Sequence, residues 1–522
     1  MKHLVIGALS VLVGALNLAS AQVERARFDD SSFALGVLTE SDGALRRTLW
    51  DGAEARDIEA QLEAVPTAFD DPAKRLILRR VLLSPGESPR DADEALAGLK
   101  LRRAVEAGYV MEAAALAELT PGLAIKPTLA ESVAYRDLLL LQYDRACARG
   151  ASLREGRQAP FFVRLRAFCY IHTGERAAAD LTISLAKEEG VLSAEDETAL
   201  RSLQTGFPTG ALPNNALQYA AFRKLGGLVN EADVEVVAAP IVTAIAMDRN
   251  ISNTVRIAAL RRAALEDLMP PRDLGRVAES VPGTRIAQDV GFIRALPQGS
   301  GARAGAIGEA LVDNNADPAA FLLRAKIFGT EIASTAPDPS TDEYEVEYSL
   351  ACLLNGRYEA AERWIRSVAT REGQGAETAF FNLTKLYSYL QPTAAQRLAG
   401  AIGEDLPLPP DIAVDAADRA AQGQLTGNLP NVVDNALSAA SSGSQGAQLL
   451  AALTASTIIA EGELGRIRDT VAANLYQEAG GYEIARAAVF RSAALSSAPR
   501  LRVETVNPQF YRPRLKPVRT RR

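Results

Sequence analysis

The chain has 522 residues, is 48% hydrophobic and carries a formal net charge of −7, enough apolar content for a large core spread over roughly two to four domains. That slightly acidic balance excludes an overall basic field able to hold nucleic acid. Aromatic residues make up only 6% and alanine dominates the apolar set; such strong helix formers with small side chains predict an all-α fold class.

In chain order, Met1-Lys2-His3 gives a short positive start, Leu4 to Leu18 an apolar run, and Ala19-Ser20-Ala21 small residues before Gln22. This is the layout of a cleaved secretory signal, residues 1–21. The run is shorter than the roughly 20 apolar residues that a membrane anchor needs. No later stretch reads as an integral span. No Cys follows for lipid attachment, so the expected product is exported. The style of the signal and the Ala/Arg-rich composition point to a bacterial periplasm.

Gln22 to about Phe33 reads as a polar start. Short amphipathic segments follow, many with their own helix-start signals. Asp71-Pro72 precedes AKRLILRRVLL, and Ser88-Pro89-Arg90-Asp91 precedes a helix expected over about Ala92–Ala107. Thr128 with Glu131, Ser340 with Glu343, and Thr393 with Gln396 have capping-box spacing, and Asp317-Pro318 opens another helix. Helices of this length must stack on neighbours to persist. Val234–Val242 comes nearest to a strand, but Pro240 interrupts it.

Cys147, Cys169 and Cys352 are the only cysteines, too few for a disulfide framework. Cys147 closes an expected helix, Tyr135–Arg149, and Cys169 lies in the next, Phe161–His172. Antiparallel neighbours in an oxidising compartment can bridge the two; the alternative is three small buried thiols. Cys352 stands at a small-residue packing position.

Two stretches share one pattern. In Phe161–Gly190, Ala167 and Tyr170 precede a turn at Gly174, and Ala179, Ile183 and Ala186 line one face of the second helix. In Thr341–Ala369, Ser349 and Cys352, Gly356, and Ala361, Ile365 and Val368 hold the same offsets. Small residues let the two helices cross closely, and each glycine takes the positive φ of a helix stop. With NGRYEAAERWI at Asn355–Ile365 and TGERAAADLTI at Thr173–Ile183, the chain resembles the tetratricopeptide repeat family. Glu106–Leu119 and Glu478–Phe490 are weaker echoes. The resemblance implies an α-solenoid of antiparallel helical hairpins. The chain departs from the family at the first-helix Trp and the closing Pro, and its repeats are unevenly spaced.

Phe207–Asn215 is a turn-rich gap, and Asn215–Phe328 reads as the array continuing in degenerate form. Ile332–Asp342, with two prolines, is the best boundary. It divides an N-terminal segment, 22–334, from a C-terminal segment, 340–499. Ser438–Gly446 reads as an inter-helix loop. After a helix over about Ile484–Leu495, Arg500–Arg522 holds eight basic residues and three prolines against one Glu, an extended basic tail. Either it is simply solvated, or Phe510, Tyr511, Arg512 and Arg514 dock on an anionic surface.

Little in the sequence points to chemistry. After the signal, His172 is the only histidine, and its place at the end of a helix suggests C-capping. No HExxH, CxxC, GxSxG or P-loop is present, so neither a metal nor a cofactor is expected. The glycine run at Gly299–Gly305 reads as a loop entering a helix. One enzymatic alternative rests on Ala130-Glu131-Ser132, whose Glu-Ser pair is similar to that of soluble lytic transglycosylases. The Gly-Leu-Met-Gln segment of that family is missing. Binding remains. Stacked hairpins present a concave face of first helices to a protein partner, here an envelope assembly. Repeat proteins that clamp a peptide carboxylate do so from set first-helix positions. Arg164 matches one of these, but Phe168 replaces the expected Asn, and the equivalent positions of the later hairpin hold Val346 and Leu350. An apolar or mixed protein-binding surface is expected instead of a clamp.

Overall fold

The computed structural model describes residues 32–402 and 443–455, apart from 70–71, 121–125, 209, 314–316, 372 and 389. Among the described residues the fold is all-helical: α-helices throughout, three short 3-10 helices at the start and no strand. No helix among them is long and apolar enough to cross a membrane. The signal segment, the tail with Phe510, Tyr511, Arg512 and Arg514, and the Glu478–Phe490 echo lie outside the described residues.

The chain begins with α1 (Ala55–Ala64) and α2 (Pro72–Leu83), then runs through α3 (Glu94–Glu106), α4 (Val110–Leu119), α5 (Pro127–Leu139), α6 (Tyr143–Ser152), α7 (Pro160–Thr173) and α8 (Arg176–Glu188). Consecutive members of α3–α8 pack on one another, and α3 also packs on α5. The turns that join α3 to α4, α5 to α6 and α7 to α8 sit at Gly108, Leu141 and Gly174, each 33 residues from the next and each at positive φ (100°, 59° and 85°). A left-handed residue ends one helix and frees the chain to start the next. Leucine tolerates that conformation poorly, so its presence at Leu141 shows the surrounding packing overriding local preference. The single helix expected over Tyr135–Arg149 is thus two, α5 and α6, broken at Leu140–Gln142.

Start signals fared unevenly. The Ser88–Asp91 signal falls too early: α3 begins at Glu94 and Asp93 is its cap, the carboxylate accepting from the Leu96 amide at 2.9 Å. Asp317 caps α17 (Pro318–Ile327) through the Ala319 and Ala320 amides, both at 3.1 Å. The three capping boxes do not form. Thr128 lies inside α5 and its hydroxyl donates to the Glu94 carbonyl at 3.2 Å. Tyr344 and not Ser340 precedes α19 (Glu345–Leu354), and Thr393 falls within α22 (Pro392–Ile402). In each case the helix starts at a residue other than the expected one, so the expected cap is not formed.

The block between holds α9 (Ala194–Thr205), α10 (Ala216–Lys224), α11 (Glu231–Val236), α12 (Ala239–Met247), α13 (Asn253–Leu265), α14 (Pro271–Glu279), α15 (Arg285–Ala295) and α16 (Gly301–Val312). The strand-like Val234–Val242 runs from the end of α11 across a short break at Val237–Ala238 into α12, with Pro240 in its first turn, where its missing N–H costs nothing. After α17 and α18 (Gly329–Ser334) comes the expected boundary at Ile332–Asp342. The helices on its two sides are packed together. α16, α17 and α18 all contact α19, Thr341 is fully buried, and the Tyr348 hydroxyl donates to the Ala304 carbonyl at 2.8 Å. α19 and α20 (Tyr358–Ala369) turn at Gly356, and Trp364 sits 4.5 Å from the Tyr348 ring. α21 (Gln374–Ser388) packs on both α20 and α22.

The last described helix, α23 (Gln445–Ala455), returns to the start of the chain and packs on α1 and α2. Ser444 Oγ donates to the Leu49 carbonyl at 3.0 Å. Gly446 lies on the Trp50 ring, where a Cβ would stand 2.5 Å from a ring carbon. Leu449, Leu450 and Leu453 are fully buried, each worth about 1.5–3 kcal/mol of burial, which is ample reason for the helix to dock.

Candidate functional site

Glu131 and Arg164, read separately from the sequence, line one cleft of about 480 Å³ together with Arg102, Glu106, Ser132, Tyr135 and Phe161. These residues come from α3, α5 and α7, the first members of the helix pairs whose turns are 33 residues apart. Glu131 and Arg164 share that spacing, as do Arg102 and Tyr135. The opposite wall is the start of α10 (Asn214, Asn215, Leu217) and of α12 (Ala238, Pro240).

Arg164 does not reach freely into the cleft. Its Nη1 donates to Asp196 Oδ2 at 3.0 Å. Asp196 is 1% exposed, and its other oxygen accepts from Asn215 Nδ2 at 2.8 Å and Gln218 Nε2 at 2.7 Å. One carboxylate therefore ties α7, α9 and α10 together, with its acceptor sites satisfied as a buried charge requires. Arg164 is a strut first and a ligand contact only by its remaining edge.

Glu131 differs. Its half-buried carboxyl makes no hydrogen bond among the described residues. Loss of water raises it above the usual carboxylate range, although Arg102 and Arg164 pull the other way. Burial likewise raises the Tyr135 hydroxyl. The Ser132 hydroxyl is buried without a partner among the described residues. Arg102 is exposed and has neither ion pair nor hydrogen bond among them. The cleft thus offers one free guanidinium, one carboxyl that tends to keep its proton, and an aromatic wall of Tyr135 and Phe161, whose rings are 6.3 Å apart.

The other expected partner contacts lie elsewhere. Phe168 is fully buried, its ring 5.5 Å from Tyr143 and stacked on His172. Leu350 is 2% exposed. Both are core residues and present no surface, because the inner faces of α7 and α19 are used against their own neighbours. Val346 is half-buried against the same core. His172 bridges helices, its Nε2 meeting Asp144 Oδ1 at 2.9 Å and its Nδ1 meeting Lys224 Nζ at 2.8 Å. Cys147 of α6 and Cys169 of α7 are joined by a disulfide, with Cα atoms 5.7 Å apart. Cys352 is a free, buried thiol that burial pushes up to about 12. Among the described residues no group of three or more His, Cys, Asp or Glu is placed to hold a metal ion.

Sequence reading missed Arg102, Tyr135 and Asp196. The 33-residue spacing would have found the first two, had Leu141 been recognised as a turn. No protein-family model, curated protein or solved structure matches the chain.

Proposed function

We propose that the chain is an exported, non-catalytic scaffold, a tetratricopeptide-like solenoid of helical hairpins that binds a protein partner of an envelope assembly. The observation that carries this is the shared cleft of α3, α5 and α7. Three first helices whose turns are 33 residues apart bring Arg102, Glu131 and the remaining edge of Arg164 to one groove, as stacked hairpins do when they hold a peptide. The Cys147–Cys169 bridge supports an oxidising compartment such as the periplasm. An apolar and mixed-charge wall suits a partner segment with both a hydrophobic anchor and an acidic group, the latter meeting Arg102.

The test is isolation of the protein with its partners from envelope extracts, comparing the natural chain with Arg102→Glu. The expected result is loss of a specific partner with thermal unfolding unchanged. Recovery of the same polypeptides by both forms, or of none by either, goes against the proposal.

A second reading is favoured by Glu131 alone, a carboxyl with a raised tendency to hold its proton inside a cleft, as a general acid requires. On this reading the protein is a cell-wall-active enzyme resembling a soluble lytic transglycosylase. Digestion of purified cell wall, abolished by Glu131→Gln, would replace the scaffold with this reading.

A further inference from the structure

A second cleft, of about 630 Å³, is lined by the C-terminal ends of α5 and α12 and shares no lining residue with the first. Its floor is apolar, built from Leu140, Leu141, Met247 and Val277, and Arg145 and Arg249 stand at its rim. Both rim arginines are exposed. Arg145 donates only to Gln142 Oε1, at 2.8 Å, and Arg249 has no ion pair or hydrogen bond among the described residues. Of the carboxylates that line the cleft, Asp248 is paired with Arg223 and Glu118 with Arg136, so Arg145 and Arg249 leave cationic charge at its rim, on a chain whose overall charge is negative.

At the back of the cleft is a prepared guanidinium. Arg136 is buried and held from behind by Asp137, itself fully buried, through Nε at 3.2 Å and Nη2 at 2.7 Å. Its outer edge grips the Glu118 carboxylate with two parallel hydrogen bonds, Nη1 to Oε2 and Nη2 to Oε1, both at 2.9 Å. Arg149 Nη2 lies 3.9 Å from the same carboxylate. This fork geometry recognises planar carboxylates. Asp137 fixes the fork whether or not Glu118 is present. Glu118, by contrast, is 39% exposed, and an exposed partner is cheap to replace because water takes up its charge.

We propose that this cleft binds a small amphiphilic carboxylate, whose acid group displaces Glu118 from the Arg136 fork and whose apolar body lies on Leu140, Leu141, Met247 and Val277. Glu118 occupies the fork as an internal stand-in for that acid group, and Arg145 and Arg249 draw the anion in. Such binding is independent of the partner-binding reading of the first cleft.

Binding of dodecanoate to the full chain, measured by calorimetry beside dodecanol and inorganic phosphate, tests it. Dodecanoate is expected to bind at least about tenfold more tightly than dodecanol. Glu118→Ala, which empties the fork, is expected to tighten dodecanoate about three- to tenfold without lowering the unfolding temperature, and Arg249→Glu to weaken it by a similar factor. A merely structural Glu118 would leave affinity unchanged, which overturns the proposal. So do equal binding of acid and alcohol, phosphate binding as tight as dodecanoate, and failure of both the natural chain and Glu118→Ala to bind any carboxylate.

Discussion

Two arginine–carboxylate pairs, one lining each cleft, do different work. Arg164–Asp196 joins a half-buried arginine to a carboxylate with 1% exposure that three side-chain donors saturate. Arg136–Glu118 joins a buried arginine to a carboxylate left 39% exposed. Both pairs have distances near 3 Å, so distance does not separate them. Burial of the acceptor does. Where the carboxylate is buried, losing it leaves donors stranded. Where it is exposed, losing it leaves a site.

A third pair lies between these cases. Glu112 is 6% exposed, yet Arg79 approaches only to 3.7 Å, beyond good hydrogen-bond distance. Burial pushes its carboxyl up to about 7 from an ordinary 4.5, against the pull of Arg79. It is buried without being satisfied.

The largest effect is expected from Asp196→Ala, which strands Arg164, Asn215 and Gln218 together. Denaturant unfolding should show a loss of about 3–5 kcal/mol, and a loss below about 1 kcal/mol would erase the contrast with Glu118. Next comes the staple beside it. Replacing both Cys147 and Cys169 by alanine, which opens a link across 22 positions, should cost about 2–4 kcal/mol, seen equally on adding reductant to the natural chain. Glu112→Gln should act in the opposite direction. Between pH 4.5 and about 7 the folded protein keeps a proton on Glu112 that the unfolded chain has lost. Stability from this group therefore falls as pH rises through that window and is level above it. The glutamine variant should match the natural chain near pH 4 and exceed it by about 1–3 kcal/mol at pH 8. Unfolding curves at the two pH values check the sign. The smallest effect belongs to Glu118→Ala, within about 1 kcal/mol.

The pattern of small residues and glycine turns at Phe161–Gly190 and Thr341–Ala369 made the all-α class and two helix pairs readable. Ala179, Ile183 and Ala186, and their counterparts Ala361, Ile365 and Val368, are all buried as that pattern requires. The break at Leu141 was not readable, since no glycine or proline marks it and the left-handed turn is imposed by packing. Missing it hid the 33-residue register, and with it Arg102 and Tyr135. The Ile332–Asp342 stretch has the composition of a linker, but its Thr341 hydroxyl bonds back to the Asp338 carbonyl at 2.9 Å and is buried. Proline and small polar residues mark a turn without saying whether other helices cover it. The return of α23 to Trp50 spans 395 positions from Ser444 to Leu49, and no local pattern encodes such a contact. Of the candidate site, Glu131 and Arg164 were legible as residue types; their sharing of a cleft was not.

The central claim is that the groove of α3, α5 and α7 holds a protein partner. A photo-crosslinking side chain placed at Arg102, in the groove, and another at Leu181, 62% exposed on the outer face of α8, test it in living cells. A discrete crosslinked partner is predicted from position 102 and none of the same kind from position 181. The same products from both positions, or none from position 102, would contradict it.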